Sequence, residues 1–337
     1  MRNTLIGIIA ALVLTACTAS AEGSGPAPSG KSGLLLVGNK GEDTLSFVDL
    51  ETGEELSREP TGSQPHEIAI SPDGRLAAVV SYGGESIDLF DTAARKKVET
   101  IMLSPNKRPH GIAWLNDGRI VATTEGSDTI TVVSPPDGES RTRTITSVST
   151  GQKGSHMLAV SPSRDRVYVS NMQSGTVSVI DFLKKRKIRD LAAGREPEGL
   201  ALTPNGKRLL VADRQEDVLY IFDTESLTEI AALDTGKFPI RVAVSPDGRI
   251  AVTSNLGDGA LGVYDLEKLE PLPAIEVSGD ARAAQVTILF SDDGKTIYAA
   301  ETGTNRIAEI DIETGMVVRR LPAGTKGDGL GIVPAAP

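Results

Sequence analysis

The sequence predicts an all-β fold, a seven-bladed β-propeller built from four-stranded antiparallel blades. Three observations predict it. A phrase typified by "SPDGRL" recurs every 42 to 46 residues, each repeat holds four short apolar runs, and one position of the first run is nearly always small. A repeat of about 40 to 45 residues with four strands is the size of one propeller blade.

The repeated phrase occurs six times with variation. It is found as "ISPDGRL" from 70, "LNDGRI" from 115, "VSPSRDRV" from 160, "LTPNGKRL" from 202, "VSPDGRI" from 244 and "FSDDGKTI" from 290. The fifth unit shows the four strands as "IRVAVS", "RIAVTSN", "ALGVYD" and "EPLPAIEV", separated by turn-forming residues. One such unit cannot bury both of its faces, so neighbouring units must stack on it.

The stretch "RVYVSNMQSGTVSVIDFLKKRKIRDLAAGREPEGLALTPNGK" resembles the repeat of the YVTN family of β-propellers. The resemblance covers residues 33–334, which we therefore predict to form a single propeller domain. It implies that the first strand of each blade lines the central axis. Members of this family include surface-layer modules, periplasmic binding proteins and domains of redox enzymes, and related seven-bladed propellers include lactonases and lyases.

Small residues mark the place where the blades converge on the axis. They are Ala69, Ala113, Ala159, Ala201, Ala243 and Gly331, with Leu289 as the exception. First strands are predicted to begin near residues 66, 110, 156, 198, 240, 286 and 328, which makes seven blades. The propeller begins with a second-strand sequence, "LLLVGNK", and ends with a lone first strand, "GLGIV". The C-terminal strand should therefore complete the first blade and remove its exposed edge.

The N-terminal segment predicts export and lipidation. Residues 1–16 have a basic start and an apolar run, as a signal peptide does. The run "LTAC" at residues 14–17 resembles the lipoprotein box, which implies a palmitoylated N-terminal Cys17. Because Thr18 stands where an inner-membrane retention signal has Asp, we expect anchoring at the periplasmic side of the outer membrane. Residues 17–32, rich in Gly, Pro, Ser and Ala, form a flexible tether.

The charge and the cysteine content exclude several functions. The chain has 35 basic and 45 acidic residues and a net charge of −10, which disfavours nucleic acid as a partner. Cys17 is its one cysteine, so disulfides and a thiol nucleophile are not expected once it is acylated. We expect a monomer whose partners are the membrane, through the lipid, and a small molecule or a periplasmic protein.

Position one of the predicted first strands carries most of the polar chemistry. Around the ring it is occupied by Asp328, His66, His110, His156, Glu198, Ile240 and Val286. The five polar members are consecutive because the C-terminal strand completes the first blade. All three histidines of the chain lie among them.

One interpretation of this ring is a metal site. Three imidazoles and a carboxylate are a ligand set typical of catalytic zinc or iron, so His66, His110, His156, Glu198 and Asp328 are candidate ligands of one divalent ion, Zn, Fe or Cu. The alternatives are a water-filled polar funnel, a catalytic acid or base, or one histidine serving as an axial haem ligand. The last follows from a resemblance to the haem-binding propellers of denitrifying bacteria.

Loops between second and third strands are predicted to open onto the same face and to form a ligand-binding rim. The candidate rim residues are Asn39, Tyr82, Glu125, Asn171, Met172, Asp213, Arg214, Arg241, Asn255 and Glu301. No catalytic residue is assigned from the sequence. The first hypothesis is a lipid-anchored periplasmic propeller that binds a ligand or a protein through this channel mouth. The alternative is a metal-dependent hydrolase or lyase, similar to a lactonase, with Glu198 as a metal ligand or general base.

Overall fold

The computed structural model describes residues 31–138 and 142–335. Within these ranges, strands form seven four-stranded antiparallel sheets, and the only helical segments are 3₁₀ turns at Glu125–Ser127, Met172–Ser174 and Ala281–Ala283. None of these turns approaches the length or the apolar character that a membrane-crossing helix needs. The predicted fold class is therefore confirmed. The predicted signal peptide, Cys17 and most of the tether lie outside the described residues.

The strands are numbered β1 to β28 along the chain, and each blade takes four of them. Blade one contains β28 (Gly327–Pro334), β1 (Gly33–Asn39), β2 (Thr44–Asp49) and β3 (Glu55–Pro60). Blade two contains β4 (Pro65–Ile70), β5 (Leu76–Ser81), β6 (Ser86–Asp91) and β7 (Lys96–Met102). Blade three contains β8 (Pro109–Trp114), β9 (Ile120–Thr124), β10 (Thr129–Val133) and β11 (Ile145–Ser149). Blade four contains β12 (Ser155–Val160), β13 (Arg166–Asn171), β14 (Thr176–Asp181) and β15 (Arg186–Ala192). Blade five contains β16 (Pro197–Leu202), β17 (Arg208–Asp213), β18 (Val218–Asp223) and β19 (Thr228–Asp234). Blade six contains β20 (Pro239–Val244), β21 (Ile250–Asn255), β22 (Ala260–Asp265) and β23 (Glu270–Glu276). Blade seven contains β24 (Gln285–Phe290), β25 (Thr296–Glu301), β26 (Arg306–Asp311) and β27 (Met316–Pro322).

The ring closes as the sequence predicts. The C-terminal strand β28 pairs antiparallel with β1, with Leu36 opposite Gly331, and so supplies the inner strand of blade one. A Cβ at Gly331 would lie 2.9 Å from Cγ2 of Ile68 in the next blade, which explains the small residue there. Closure leaves the innermost strand of blade one paired instead of exposed.

The core is a set of seven apolar clusters, each shared by two neighbouring blades. Phe47 of blade one meets Phe90 of blade two edge to face, with ring centroids 6.3 Å apart. The seventh cluster joins blade seven to blade one through Tyr298 and Leu35, which are both fully buried. Because each blade hides its two faces against its neighbours, the inner strands are held around one axis.

Aspartates at the ends of third strands lock the following turns. In each case the backbone N–H three residues later donates to the carboxylate at 2.7–2.9 Å. The residues are Asp49, Asp91, Asp181, Asp223, Asp265 and Asp311. These carboxylates lie on the opposite face from the histidines and serve the turns of the fold.

Candidate functional site

The residues at the predicted position one, each the second residue of its inner strand in the structure, meet at one end of the axis in the predicted order. Ring centroids lie 4.9 Å apart for His66 and His110 and 3.7 Å apart for His110 and His156. Nε2 of His156 lies 3.5 Å from Oε1 of Glu198, and Nε2 of His66 lies 3.9 Å from Oδ2 of Asp328. Residues separated by more than two hundred positions thus become neighbours.

These five side chains form a packed polar layer, where a water-filled funnel was one expectation. His110, His156, Glu198 and Asp328 are buried, and the His66 side chain is only 12% exposed. Burial without partners would be costly for such groups, so each charge must be met by another or neutralised.

The imidazoles stack on one another. The rings of His110 and His156 are inclined by 33°, and ring nitrogens present their lone pairs in the plane of the ring. The rings of His66 and His110 are inclined by 57°. Among the described residues, no group of three His, Cys, Asp or Glu is arranged to hold a metal ion.

His156 is held between two carboxylates. Its Nδ1 lies 2.7 Å from Oε2 of Glu125, whereas its Nε2 is at ion-pair distance from Glu198 and has no hydrogen-bond partner among the described residues. Burial opposes the charged imidazolium, but the hydrogen bond to Glu125 and the charge of Glu198 outweigh it and raise the pKa of His156. Of the three histidines, His156 is the one whose surroundings favour the protonated form.

His110 is the opposite case. It is fully buried between two other imidazoles, and its Nδ1 has no hydrogen-bond partner among the described residues. Burial, followed by the nearby His156 and His66, lowers the pKa of His110 well below its ordinary value. Burial also lowers the pKa of His66, although Asp328 partly opposes this effect. The surroundings therefore favour the charged form at His156 and the neutral form at the other two rings.

A buried ion network crosses the axis beside the histidines. One guanidinium nitrogen of Arg241 lies 2.8 Å from Oε1 of Glu198, and the other lies 2.9 Å from Oε1 of Glu67, in blade two. Arg214 reaches Oε2 of Glu198 at 2.6 Å. Burial alone would raise the pKa of Glu198, but His156, Arg241 and Arg214 lower it to about 2.

Two further groups complete the site. On blade one, Nζ of Lys40 lies 2.6 Å from Oδ2 of Asp328, and Lys40 is the main cause, against burial, of the lowered pKa of that carboxyl. Tyr82 donates a hydrogen bond to Oε1 of Glu125 at 2.9 Å, and the guanidinium of Arg108 lies over its ring. Burial and Glu125 raise the pKa of Tyr82 to about 12.

We call this connected set the mouth cluster. Its members are Lys40, His66, Glu67, Tyr82, Arg108, His110, Glu125, His156, Glu196, Glu198, Arg214, Arg241 and Asp328.

The predicted rim divides into two groups. Tyr82, Glu125, Arg214 and Arg241 belong to the mouth cluster. The rest, apart from Met172, are buried within the blades: Asn39, Asn171, Asp213, Asn255 and Glu301.

The buried rim candidates make hydrogen bonds within the blades. Asn39 and Asn171 donate to the third-strand hydroxyls of Ser46 and Ser178, and Asp213 accepts the backbone N–H of Glu196. In this structure these side chains are engaged in hydrogen bonds inside the blades, and their part in a ligand-binding rim stays a prediction.

Glu301 faces a different surface. Its Oε2 lies 2.7 Å from Nε of Arg320, and both side chains line a cavity of about 370 Å³ between the outer parts of blades six and seven. A second cavity, of about 670 Å³ and lined by Arg306 and Arg320, lies between blades seven and one. Neither cavity adjoins the histidines, and in the first cavity Glu301 and Arg320 are already paired with each other. The site beside the histidines is therefore the better candidate for a functional site.

Four members of the mouth cluster were missed from the sequence: Lys40, Glu67, Arg108 and Glu196, the last two of which directly precede an inner strand. Glu67 occupies the same third position of an inner strand as Arg241, and Lys40 occupies the same loop position as Tyr82, Glu125 and Arg214. That shared register was a usable signal. Arg108, which precedes an inner strand, had no comparable signal because lysine or arginine occurs in most of the equivalent loops.

The geometry defines a class of protein: a closed seven-bladed propeller with a buried cluster of ionisable groups at one end of its axis. A family model described as "Lactonase, 7-bladed beta-propeller" matches residues 34–228, more than half of the chain. The chain belongs to this family. A search of curated proteins found no significant match.

Solved structures share the fold at low sequence identity. Hydrazine synthase of Kuenenia stuttgartiensis is 19% identical, with a TM-score of 0.71 and coverage of 89% of this chain and 99% of that one. A functionally unknown protein from Desulfotomaculum acetoxidans is 16% identical, with a TM-score of 0.78 and coverage of 90% and 100%. Dihydro-heme d1 dehydrogenase NirN in complex with DHE is 19% identical, with a TM-score of 0.63 and coverage of 88% and 65%. These likenesses concern the fold alone.

Proposed function

We propose that this protein is a lipid-anchored periplasmic binding module that takes a small molecule at its channel mouth. The observation that carries the proposal is the convergence of ionisable side chains from blades one to six into one connected, largely buried cluster. The lipid on Cys17 and the tether would hold this propeller near the membrane surface.

Stability alone does not explain such a cluster. Buried ion networks are on average no more stabilising than well-packed apolar residues, because desolvation offsets the attraction between the charges. The apolar clusters between blades already hold the ring together. Ionisable groups with strongly shifted pKa values concentrate at functional sites, and His110 and Glu198 are of this kind.

The anchor is tested by cell fractionation. A Cys17→Ser variant should move from the membrane pellet to the soluble fraction, since acylation needs the thiol. Retention of that variant in the pellet would contradict the lipid anchor. It would not bear on the proposed binding site.

The binding function is tested by thermal unfolding of the propeller with a panel of carboxylates, phosphates, sugars and amines. A compound that binds only the folded state increases the free energy of unfolding by RT ln(1 + [L]/Kd), and so raises the unfolding temperature. We expect at least one class to do so, and the Tyr82→Ala variant to lose the shift.

Tyr220→Ala is the matched control for that experiment. Its hydroxyl also donates to a glutamate, Glu216, at 2.7 Å, but it lies outside the mouth cluster. This variant should keep the full shift. Equal loss in both variants, or no shift with any class, would contradict a binding site at the channel mouth.

A second candidate is hydrolysis of a lactone, which the family and one contact favour. Glu125 fixes Nδ1 of His156, a pairing that orients an imidazole for proton transfer at its other nitrogen. Lactone hydrolysis lost in Glu125→Gln would support this function. One equivalent of zinc, iron or copper, lost in His110→Ala, would support its metal-dependent form, and a metal-free protein inactive on lactones would exclude it.

A further inference from the structure

We propose that the ligand of the mouth cluster is a small organic acid bound through a single carboxylate. This inference rests on the binding function proposed above and names the chemical class of the ligand. It follows from how the charges of the cluster are layered, from their balance, and from the hydrogen-bond donors that remain near the surface.

The cationic side chains form the more exposed layer. Side-chain exposure is 52% for Arg108, 27% for Lys40 and 23% for Arg214. The carboxylates beneath them are far less accessible, with Glu125 at 12%, and with Glu198 and Asp328 at 4% or less. A molecule approaching from solvent therefore meets cations before it meets carboxylates.

Each of these cations is fixed from below. Lys40 is bound to Asp328, Arg214 to Glu198, and Arg108 to Tyr82 and Glu125. Such anchoring preorganises the donors, so little side-chain entropy is lost when a ligand binds. Lys40 has three N–H bonds and Arg214 has five, and their buried partners occupy only part of this set.

Glu196 is the exception to the layering, since its side chain is 30% exposed. It is already bound by Arg214, with Nε to Oε2 at 3.0 Å, and by the side-chain amide of Gln215 at 2.9 Å. Its charge is therefore engaged at the edge of the cluster and does not attract a cationic ligand to the centre.

The balance of charge limits how much negative charge can enter. Among the described residues, the cluster has five carboxylates: Glu67, Glu125, Glu196, Glu198 and Asp328. It has five cations when His156 is protonated: Lys40, Arg108, Arg214, Arg241 and His156. A neutral, partly buried cluster with outward-facing cations accepts one negative charge more readily than the two of a phosphate.

The inference is tested by calorimetric titration with lactate, glycolate and gluconate, each beside its neutral amide, with inorganic phosphate and ethanolamine as further probes. We expect at least one singly bound carboxylate to bind at least tenfold more tightly than its amide, a difference of about 1.4 kcal/mol. Phosphate and ethanolamine should bind more weakly. Tight binding of the amide, of phosphate or of ethanolamine would overturn the inference.

Two variants locate the site. Arg214→Gln and Lys40→Met should each weaken carboxylate binding at least tenfold, and the Lys40 change keeps the test open if Arg214→Gln fails to fold. Lys237→Ala is the matched control, because Lys237 is exposed on the same face and outside the cluster. Equal affinity in all variants would overturn the inference.

The two proposals fail in different ways. If amides, sugars or amines bind at the mouth and carboxylates do not, the carboxylate inference is wrong and the binding function stands. If none of these probes binds and Tyr82→Ala changes nothing, both are wrong.

Discussion

Ending the chain at Lys326, and so removing β28, is expected to abolish the folded ring. This strand pairs with β1 along its length and buries Leu330 and Val333 in clusters shared with the neighbouring blades. Each of those side chains contributes about 1.5 to 3 kcal/mol by burial. Together with the lost strand pairing, this approaches the whole stability of a typical domain, about 5 to 15 kcal/mol.

Circular dichroism during heating measures the effect. The truncated protein should show no cooperative unfolding transition, or should be recovered only as aggregate. A chain ending at Pro334 keeps β28 and should unfold like the full-length protein. Cooperative unfolding of the shorter chain at the full-length temperature would show that the C-terminal strand does not close the ring.

Arg241→Ala should be the most destabilising single substitution in the mouth cluster. The arginine is bound to Glu198 and Glu67 from opposite sides of the axis, and its side chain is 6% exposed. Removing it leaves two carboxylates in a desolvated place without their shared cation. Breaking a buried pair in this way costs about 3 to 5 kcal/mol.

Urea unfolding of this variant is best compared with that of Arg282→Ala. Arg282 also pairs with an acidic residue, Asp280, at 2.7 Å, but both side chains are open to solvent. Exposed pairs of this kind contribute little, so the control should unfold at the wild-type urea concentration. If the two variants behaved alike, the ion network across the axis would not be buried as described.

Much of the fold was predictable because its determinants are local and repeated. The "SPDGRL" phrases fix the turns, and the alternation of large and small residues fixes which face of each inner strand meets which neighbour. The lone "GLGIV" at the C-terminus, lacking the rest of a blade, indicates closure. These signals recur in several blades, so an exception such as Leu289 does not obscure them.

The site was predictable only in part. Counting positions along the inner strands predicted that His66, His110, His156, Glu198 and Asp328 lie together. This works because residues at the same position of neighbouring inner strands come close to one another around the axis. Counting does not give side-chain directions or packing.

Two consequences of packing were therefore not foreseen. The imidazoles pack ring against ring at tilted angles, and Asn39 points into its own blade. The pairing of Glu67 with Arg241 depends on the distance between inner strands on opposite sides of the axis. No local sequence pattern encodes that distance.

The most direct test of the mouth cluster is a nitrogen-15 NMR titration of its three imidazoles between about pH 5 and pH 8. The structure predicts that His156 keeps both ring protons above the ordinary histidine pKa, whereas His110 stays neutral well below it. His66 should also become protonated only at lower pH than a free histidine. Three imidazoles titrating together near pH 6.5, as exposed histidines do, would contradict the buried, connected cluster on which the proposed function depends.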